Sequence, residues 1–127
     1  MSPQRLNLPD NLKHALHQAV SDIVELGSAD AVVLFGSYAE GSAQDGSDLD
    51  LLVVAPTNNR WRLASKLYVR WHELRQALPE LPPADILVYT PRQFLEAMVV
   101  GFPAYQAVRT GVLLYGKLPE PSPQVAE

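Results

Sequence analysis

Apolar residues recur at helical spacing near the start of the chain. Leu12, Leu16, Ala19, Ile23 and Leu26 mark the buried stripe of a helix over about residues 9–26, and Gly27 stands where a C-cap is expected. The pattern then changes. Ala31 to Phe35 is a continuous apolar run ending at Gly36, which reads as a buried strand. Ser37 to Gly41 opens a short helix. From Asp48 to Ala55 the chain is polar first and apolar afterwards, a second strand whose beginning emerges from the core. Pro56-Thr57-Asn58-Asn59 is a loop.

Arg60 to Leu78 reads as a long helix burying Leu63, Leu67, Leu74 and Leu78, and Pro79 stops it. A third strand follows over Asp85 to Tyr89. Thr90-Pro91-Arg92-Gln93 then carries a capping threonine, a proline at the first helical position and a glutamine that completes a capping box. Phe102-Pro103 breaks this helix, a short one runs to Thr110, Gly111 ends it, and Val112 to Tyr115 is a last strand. Residues 1–116 make one domain, and 117–127, with three prolines and little apolar content, are expected to form a loose tail. The order of elements predicts an α/β (α+β) architecture, a mixed β-sheet with helices packed on it.

Composition narrows the class. A chain of 127 residues with 47% hydrophobic content sustains one core. No apolar run approaches the roughly 20 residues of a membrane span, so no membrane partner is expected. The opening MSPQRLNLPD has no apolar segment, so no secretory signal is expected and a cytoplasmic location is. There is no cysteine, hence no disulfide framework and no thiolate metal site. A net charge of −4 argues against a general nucleic-acid binder, although Arg60, Arg62, Lys66, Arg70 and Arg75 gather half of the ten basic residues. Arg62, Lys66 and Arg70 fall on one helical stripe, read first as a solvated face. Trp61 and Trp71 on the same helix fit a core or an interface equally. His14, His17 and His72 form no recognisable metal or catalytic set.

The candidate chemistry lies in Leu34 to Val54, LFGSYAEGSAQDGSDLDLLVV. Gly36-Ser37 follows a buried strand. The glycine can take positive φ or admit a ligand to the backbone, and Ser37 can cap the next helix or offer its hydroxyl, so an anion is favoured there. After ten intervening residues, Asp48 and Asp50, with one residue between them, lie on a strand and project to one face. Two such carboxylates suit Mg²⁺, which prefers oxygen ligands and leaves places for phosphate and water. Asp85 opens an otherwise apolar strand and completes a cluster of three if its strand lies beside the second. Each piece alone is also an ordinary turn or strand end. Tyr38 reads as half-buried packing.

Gly36-Ser37, the ten-residue spacing, Asp48-Leu49-Asp50 and a later Asp85 resemble the nucleotidyltransferase domain of the DNA polymerase β superfamily. The short length, the run Ser47-Asp48-Leu49-Asp50-Leu51-Leu52-Val53 and the ending Gly111-Val112-Leu113-Leu114-Tyr115 are similar to the minimal nucleotidyltransferases, which are often paired with a HEPN-domain toxin. The resemblance implies that Gly36 and Ser37, with Ser47, hold the phosphates of ATP. It implies that Asp48 and Asp50 hold two Mg²⁺ ions, that Asp85 joins them as a catalytic and metal-binding residue, and that AMP passes to a hydroxyl. The acceptor it implies is a tyrosine of a partner HEPN toxin, which makes this chain the antitoxin. A masking module without activity and an aminoglycoside-type small-molecule transferase subunit are the other readings. One position departs from the family pattern: Glu40 stands where many relatives carry a basic residue, and it is expected to turn away, toward a base such as Arg62.

Overall fold

The computed structural model describes residues 6–98 and 102–120. It contains α1 (Asp10–Gly27), β1 (Ala31–Phe35), α2 (Ser37–Glu40), β2 (Leu49–Val54), α3 (Arg60–Ala77), β3 (Ala84–Tyr89), α4 (Pro91–Glu96), α5 (Pro103–Thr110) and β4 (Val112–Gly116). The strands form one mixed sheet in the order β3-β2-β1-β4. β1 pairs antiparallel with β2 and with β4, and β2 pairs parallel with β3. The expected mixed sheet with packed helices is therefore what forms.

Strand alternation sends the two faces of the sheet to different partners. Val32, Leu34, Leu49, Leu51, Val53, Ile86 and Val88 pack with the buried stripes of α1 and α3. Ala31, Val33, Phe35, Leu52 and Val54 pack with Phe94 of α4 and with Ala104 and Ala107 of α5. Both faces of β1 are covered, which explains its unbroken apolar run.

Several details differ from the pattern read in the sequence. Gly27 is the last residue of α1, and Ser28 takes the left-handed cap conformation at φ 51° and ψ 46°. Gly27 instead faces α3, where an added Cβ would touch Leu63 Cδ1 at 3.5 Å. Leu26 is off the buried stripe, 40% exposed, while Ala15 and Val20 join it. On α3 the stripe consists of Leu63, Leu67 and Trp71, with Leu74 and Leu78 only partly buried. The two tryptophans part company: Trp71 is in the core and Trp61 is 73% exposed.

The capping box at Thr90 and Gln93 forms as expected. α4 ends at Glu96, before the predicted break. Gly111 follows α5 in extended rather than left-handed backbone, and a side chain there would collide with Val33 Cγ1 and Leu34 O. Residues 121–127 of the expected tail lie outside the described residues. Among the described residues, no helix is long and apolar enough to cross a membrane.

Candidate active site

The candidate residues gather where β1 ends and β2 and β3 begin. In the sheet register Phe35 faces Asp50, and Asp50 faces Asp85. Adjacent strands lie about 4.8 Å apart, so the carboxylates of Asp50 and Asp85 leave neighbouring backbones on one face of the sheet. It is the face that α4 and α5 cover further along, since Leu52 and Val54 continue Asp50's side of β2. Asp48 precedes β2 by one residue, about 7 Å along the chain from Asp50. Asp48 and Asp85 are exposed and Asp50 is partly buried. The observed strand starts at Leu49, one residue later than read, which leaves Asp48 in the approach loop.

The environment of Asp50 is unfavourable to its charge. Partial burial raises its pKa above the ordinary carboxylate value, and the nearby Asp85 and then Asp48 raise it further. The salt bridges among the described residues lie elsewhere, joining Arg70 to Asp22 and Glu73, and Arg92 to Glu96. Asp50 thus has acidic neighbours and no ion-pair partner among the described residues.

Gly36 meets Asp50 directly. It takes φ 74° and ψ −153°, a region open in practice only to glycine, and a Cβ there would collide with Asp50 Oδ2 and stand 3.0 Å from Cγ. The bare backbone of the turn therefore sits against the central carboxylate. Gly36, not Ser37, is the N-cap of α2, and no side chain caps it, so the Ser37 hydroxyl has no capping task. The first bond of the turn runs from Glu40 N–H to Gly36 C=O at 3.0 Å. The amides of Ser37 to Ala39 precede it and have no helical acceptor. α2 is a single turn, so an anion here would be held by these amides and hardly by a helix dipole.

Other candidates find different tasks. Ser47 Oγ accepts from Gln44 N–H at 2.9 Å, and Ser47 N–H donates to Gln44 C=O, which folds the loop before Asp48. Tyr38 is partly buried against the α1–α3 core, as read. Glu40 does not turn to Arg62. It accepts from Gln106 Nε2 and Thr110 Oγ1 of α5, each at 3.4 Å. Arg62 opens α3, beyond the far end of β2 from the aspartates, so the sheet keeps the two apart. Gln106 and Thr110 escaped notice in the sequence; their i, i+4 spacing on a short amphipathic helix was the available signal.

A groove of about 570 Å³ borders the site on the α1–α3 side, lined by Leu12, Tyr38, Gly46, Ser47, Arg75 and Pro82 among others. None of the three aspartates lines it.

The donor set is three carboxylates, hard oxygen ligands that suit Mg²⁺. Among the described residues no three carboxylate or imidazole groups stand together at the spacing of a metal centre. Asp48 and Asp85 are exposed, however, so their side chains are free to take other rotamers. The glycine cradle against Asp50 and the mutual repulsion of the carboxylates both fit a divalent cation.

A glycine turn thus ends one strand of this mixed sheet, and aspartates stand at the openings of the next two. The chain belongs to the nucleotidyltransferase domain family, whose model matches residues 16–99. No curated protein matches the chain. Among solved structures, it is similar to one provisionally described as a minimal nucleotidyltransferase, with 24% identity, a TM-score of 0.53, and 84% of this chain and 96% of that one covered. A protein from Sulfolobus solfataricus, provisionally described as a nucleotidyltransferase, matches at 18% identity and a TM-score of 0.53 over 84% of this chain and 81% of that one. A toxin–antitoxin complex with AMP-PNP matches at 24% identity and a TM-score of 0.50 over 80% and 73%. At these identities the likeness is one of fold.

Proposed function

We propose that this protein transfers a nucleoside monophosphate, AMP from ATP, to a hydroxyl in a Mg²⁺-dependent reaction. We further propose that the acceptor is a tyrosine of a HEPN-domain toxin, so that the protein acts as its antitoxin in the cytoplasm. The observation that carries the reading is Asp50, pressed against the Gly36 turn on one side and in register with Asp85 on the other. The fold shared with a toxin–antitoxin complex that holds AMP-PNP supports the choice of adenine nucleotide and of a toxin as partner.

The chain's own residues divide the work. The amides of Ser37 to Ala39 receive the outer phosphates, and Gly36 lets this turn lie against the Asp50 carboxylate because no side chain intervenes. Asp48, Asp50 and Asp85 would hold the metal, which when bound neutralises phosphate charge and acidifies the attacking hydroxyl. The acceptor oxygen forms a bond to the α-phosphorus, the bond from that phosphorus to the bridging oxygen breaks, and pyrophosphate leaves. Asp85, exposed at the strand opening, takes the hydroxyl proton. Glu40 faces α5, which keeps its charge bound away from the phosphates.

Glu40 also favours a second reading, a module that neutralises its partner by masking alone, because a carboxylate bound to α5 stands at a position where many relatives carry a base. Small-molecule transfer of the aminoglycoside type is tested directly by assaying antibiotic modification. To separate the first two, purified protein is incubated with Mg²⁺ and α-phosphate-labelled ATP in lysate of its source, beside an Asp48→Ala, Asp50→Ala variant. Transfer predicts label on one protein band with the unmodified chain only. Absence of label, with toxin neutralisation retained by the double variant, would establish masking.

A further inference from the structure

Three side chains on one stripe of α3 reach the segment that opens β3. Tyr68 Oη accepts from Ile86 N–H at 2.8 Å, Trp71 Nε1 donates to Pro82 C=O at 2.9 Å, and Arg75 Nε donates to Leu81 C=O at 3.0 Å. Positions 68, 71 and 75 lie one and two helical turns apart on a single face. The stretch they hold, Leu81 to Ile86, contains Asp85.

That stretch needs holding. β3 is an edge strand with β2 as its only partner in the sheet. In a parallel ladder alternate amides point to the neighbour and the others point away. Leu49 N–H donates to Pro83 C=O and Ala55 N–H to Tyr89 C=O, each at 2.9 Å, so the odd-numbered residues of β3 bond to β2 and the Ile86 amide points outward. Tyr68 meets that outward donor, the one next to Asp85. A tyrosine 41% exposed gains little from a hydroxyl for packing; here the hydroxyl occupies an edge amide.

We propose that Tyr68 is a positioning residue, working with Trp71 and Arg75 as a clamp that keeps Asp85 opposite Asp50. The inference rests on the reading of the aspartates as a metal-binding and nucleotide-binding set. Trp71 is a core residue whose loss would disturb folding, and Arg75 contacts only the approach to the strand. Tyr68→Phe is the clean probe, because it keeps the ring and removes one acceptor.

The test uses the full chain and Mn²⁺ as the metal, read by paramagnetic broadening of backbone amides, together with hydrogen exchange. In Tyr68→Phe the Ile86 amide should exchange faster. The Mn²⁺ concentration needed to broaden Asp85, and with it the neighbouring Asp48 and Asp50 amides that sense the same ion, should rise by about 10-fold, the lower end of what partners behind a metal ligand contribute. Broadening should still saturate at higher Mn²⁺, and the melting temperature should change little. Unchanged exchange at Ile86 would overturn the proposal, because the hydroxyl would not hold the strand. Faster exchange with unchanged broadening of Asp85 would also overturn it, because the bond would not serve the carboxylate. Both readouts are independent of catalysis. If the unmodified protein transfers no nucleotide while the Mn²⁺ difference holds, the proposed function fails and the clamp stands.

Discussion

Replacing Gly36 with alanine isolates the contact on which the site is built. Two costs add. The backbone at φ 74° and ψ −153° is hostile to any side chain, at roughly 1–3 kcal/mol. The new methyl would also displace the Asp50 carboxylate, whose Oδ2 and Cγ occupy its place, at an overpacking cost of about 1–3 kcal/mol. The sum is roughly 2–6 kcal/mol. Gly41 is the control. It takes φ 82° and ψ 13°, with nothing within 4 Å of an added Cβ, so Gly41→Ala carries only the left-handed penalty of about 1–2 kcal/mol. Urea denaturation of both variants, with Asp50→Ala and the Gly36→Ala, Asp50→Ala pair, completes a double-mutant cycle. Removing the carboxylate should recover the overpacking part, a coupling of about 1–3 kcal/mol. Additive costs, or a Gly36→Ala penalty no larger than that of Gly41→Ala, would refute the claim that the turn presses on Asp50.

Three further outcomes follow from the same geometry. Because Asp50 is raised by burial and its acidic neighbours, the folded protein holds that proton to higher pH than the unfolded chain, and the stability it gives is lost as pH rises through the folded value. In metal-free buffer at pH 7, Asp50→Asn should therefore melt higher than the parent, with the gain shrinking as pH falls through the folded value and gone below about pH 4; a lower melting temperature at pH 7 would contradict this. Asp85→Asn should lower the transfer rate by roughly 10²–10⁴-fold in steady-state assays, as loss of a general base does, and a rate within threefold of the parent would remove Asp85 from the chemistry. Glu40→Gln keeps an acceptor for α5 and removes one charge; at an assumed ~10 Å in water each unit of phosphate charge is worth about 0.4 kcal/mol, so KM for ATP should fall by about twofold, and an unchanged KM would show that Glu40 does not sense the phosphates.

Most of the fold was legible because local pattern and tertiary burial agree. The run Ala31 to Phe35 is apolar because both its faces are covered, and Thr90-Pro91-Arg92-Gln93 carries its own cap chemistry. The apolar strand after Asp85 stated that it is a sheet member, whereas Asp48 lies in the loop before β2, where strand alternation does not fix its side. That these strands are neighbours, with Asp50 and Asp85 in register, is set by the crossover through α3 and could be stated only conditionally.

The misreadings share one cause. Gly27 has the spacing of a cap, but the left-handed cap conformation falls on Ser28 and Gly27 lies within the helix against α3. Trp61 and Trp71 have the same composition signal and opposite fates, because only position 71 faces the sheet. Glu40 was assigned a basic partner by charge, yet contacts between α2 and α5 depend on a separation of 66 and 70 residues that no local pattern reports. The hydrogen bonds from Tyr68, Trp71 and Arg75 were illegible for the same reason.

The most direct test of the central claim is anomalous diffraction from crystals grown with Mn²⁺ and AMP-PNP. The account predicts Mn²⁺ between Asp48, Asp50 and Asp85, with the outer phosphates on the amides of Ser37 to Ala39 beside Gly36. Mn²⁺ bound away from these aspartates, or a triphosphate seated elsewhere on the molecule, would contradict it.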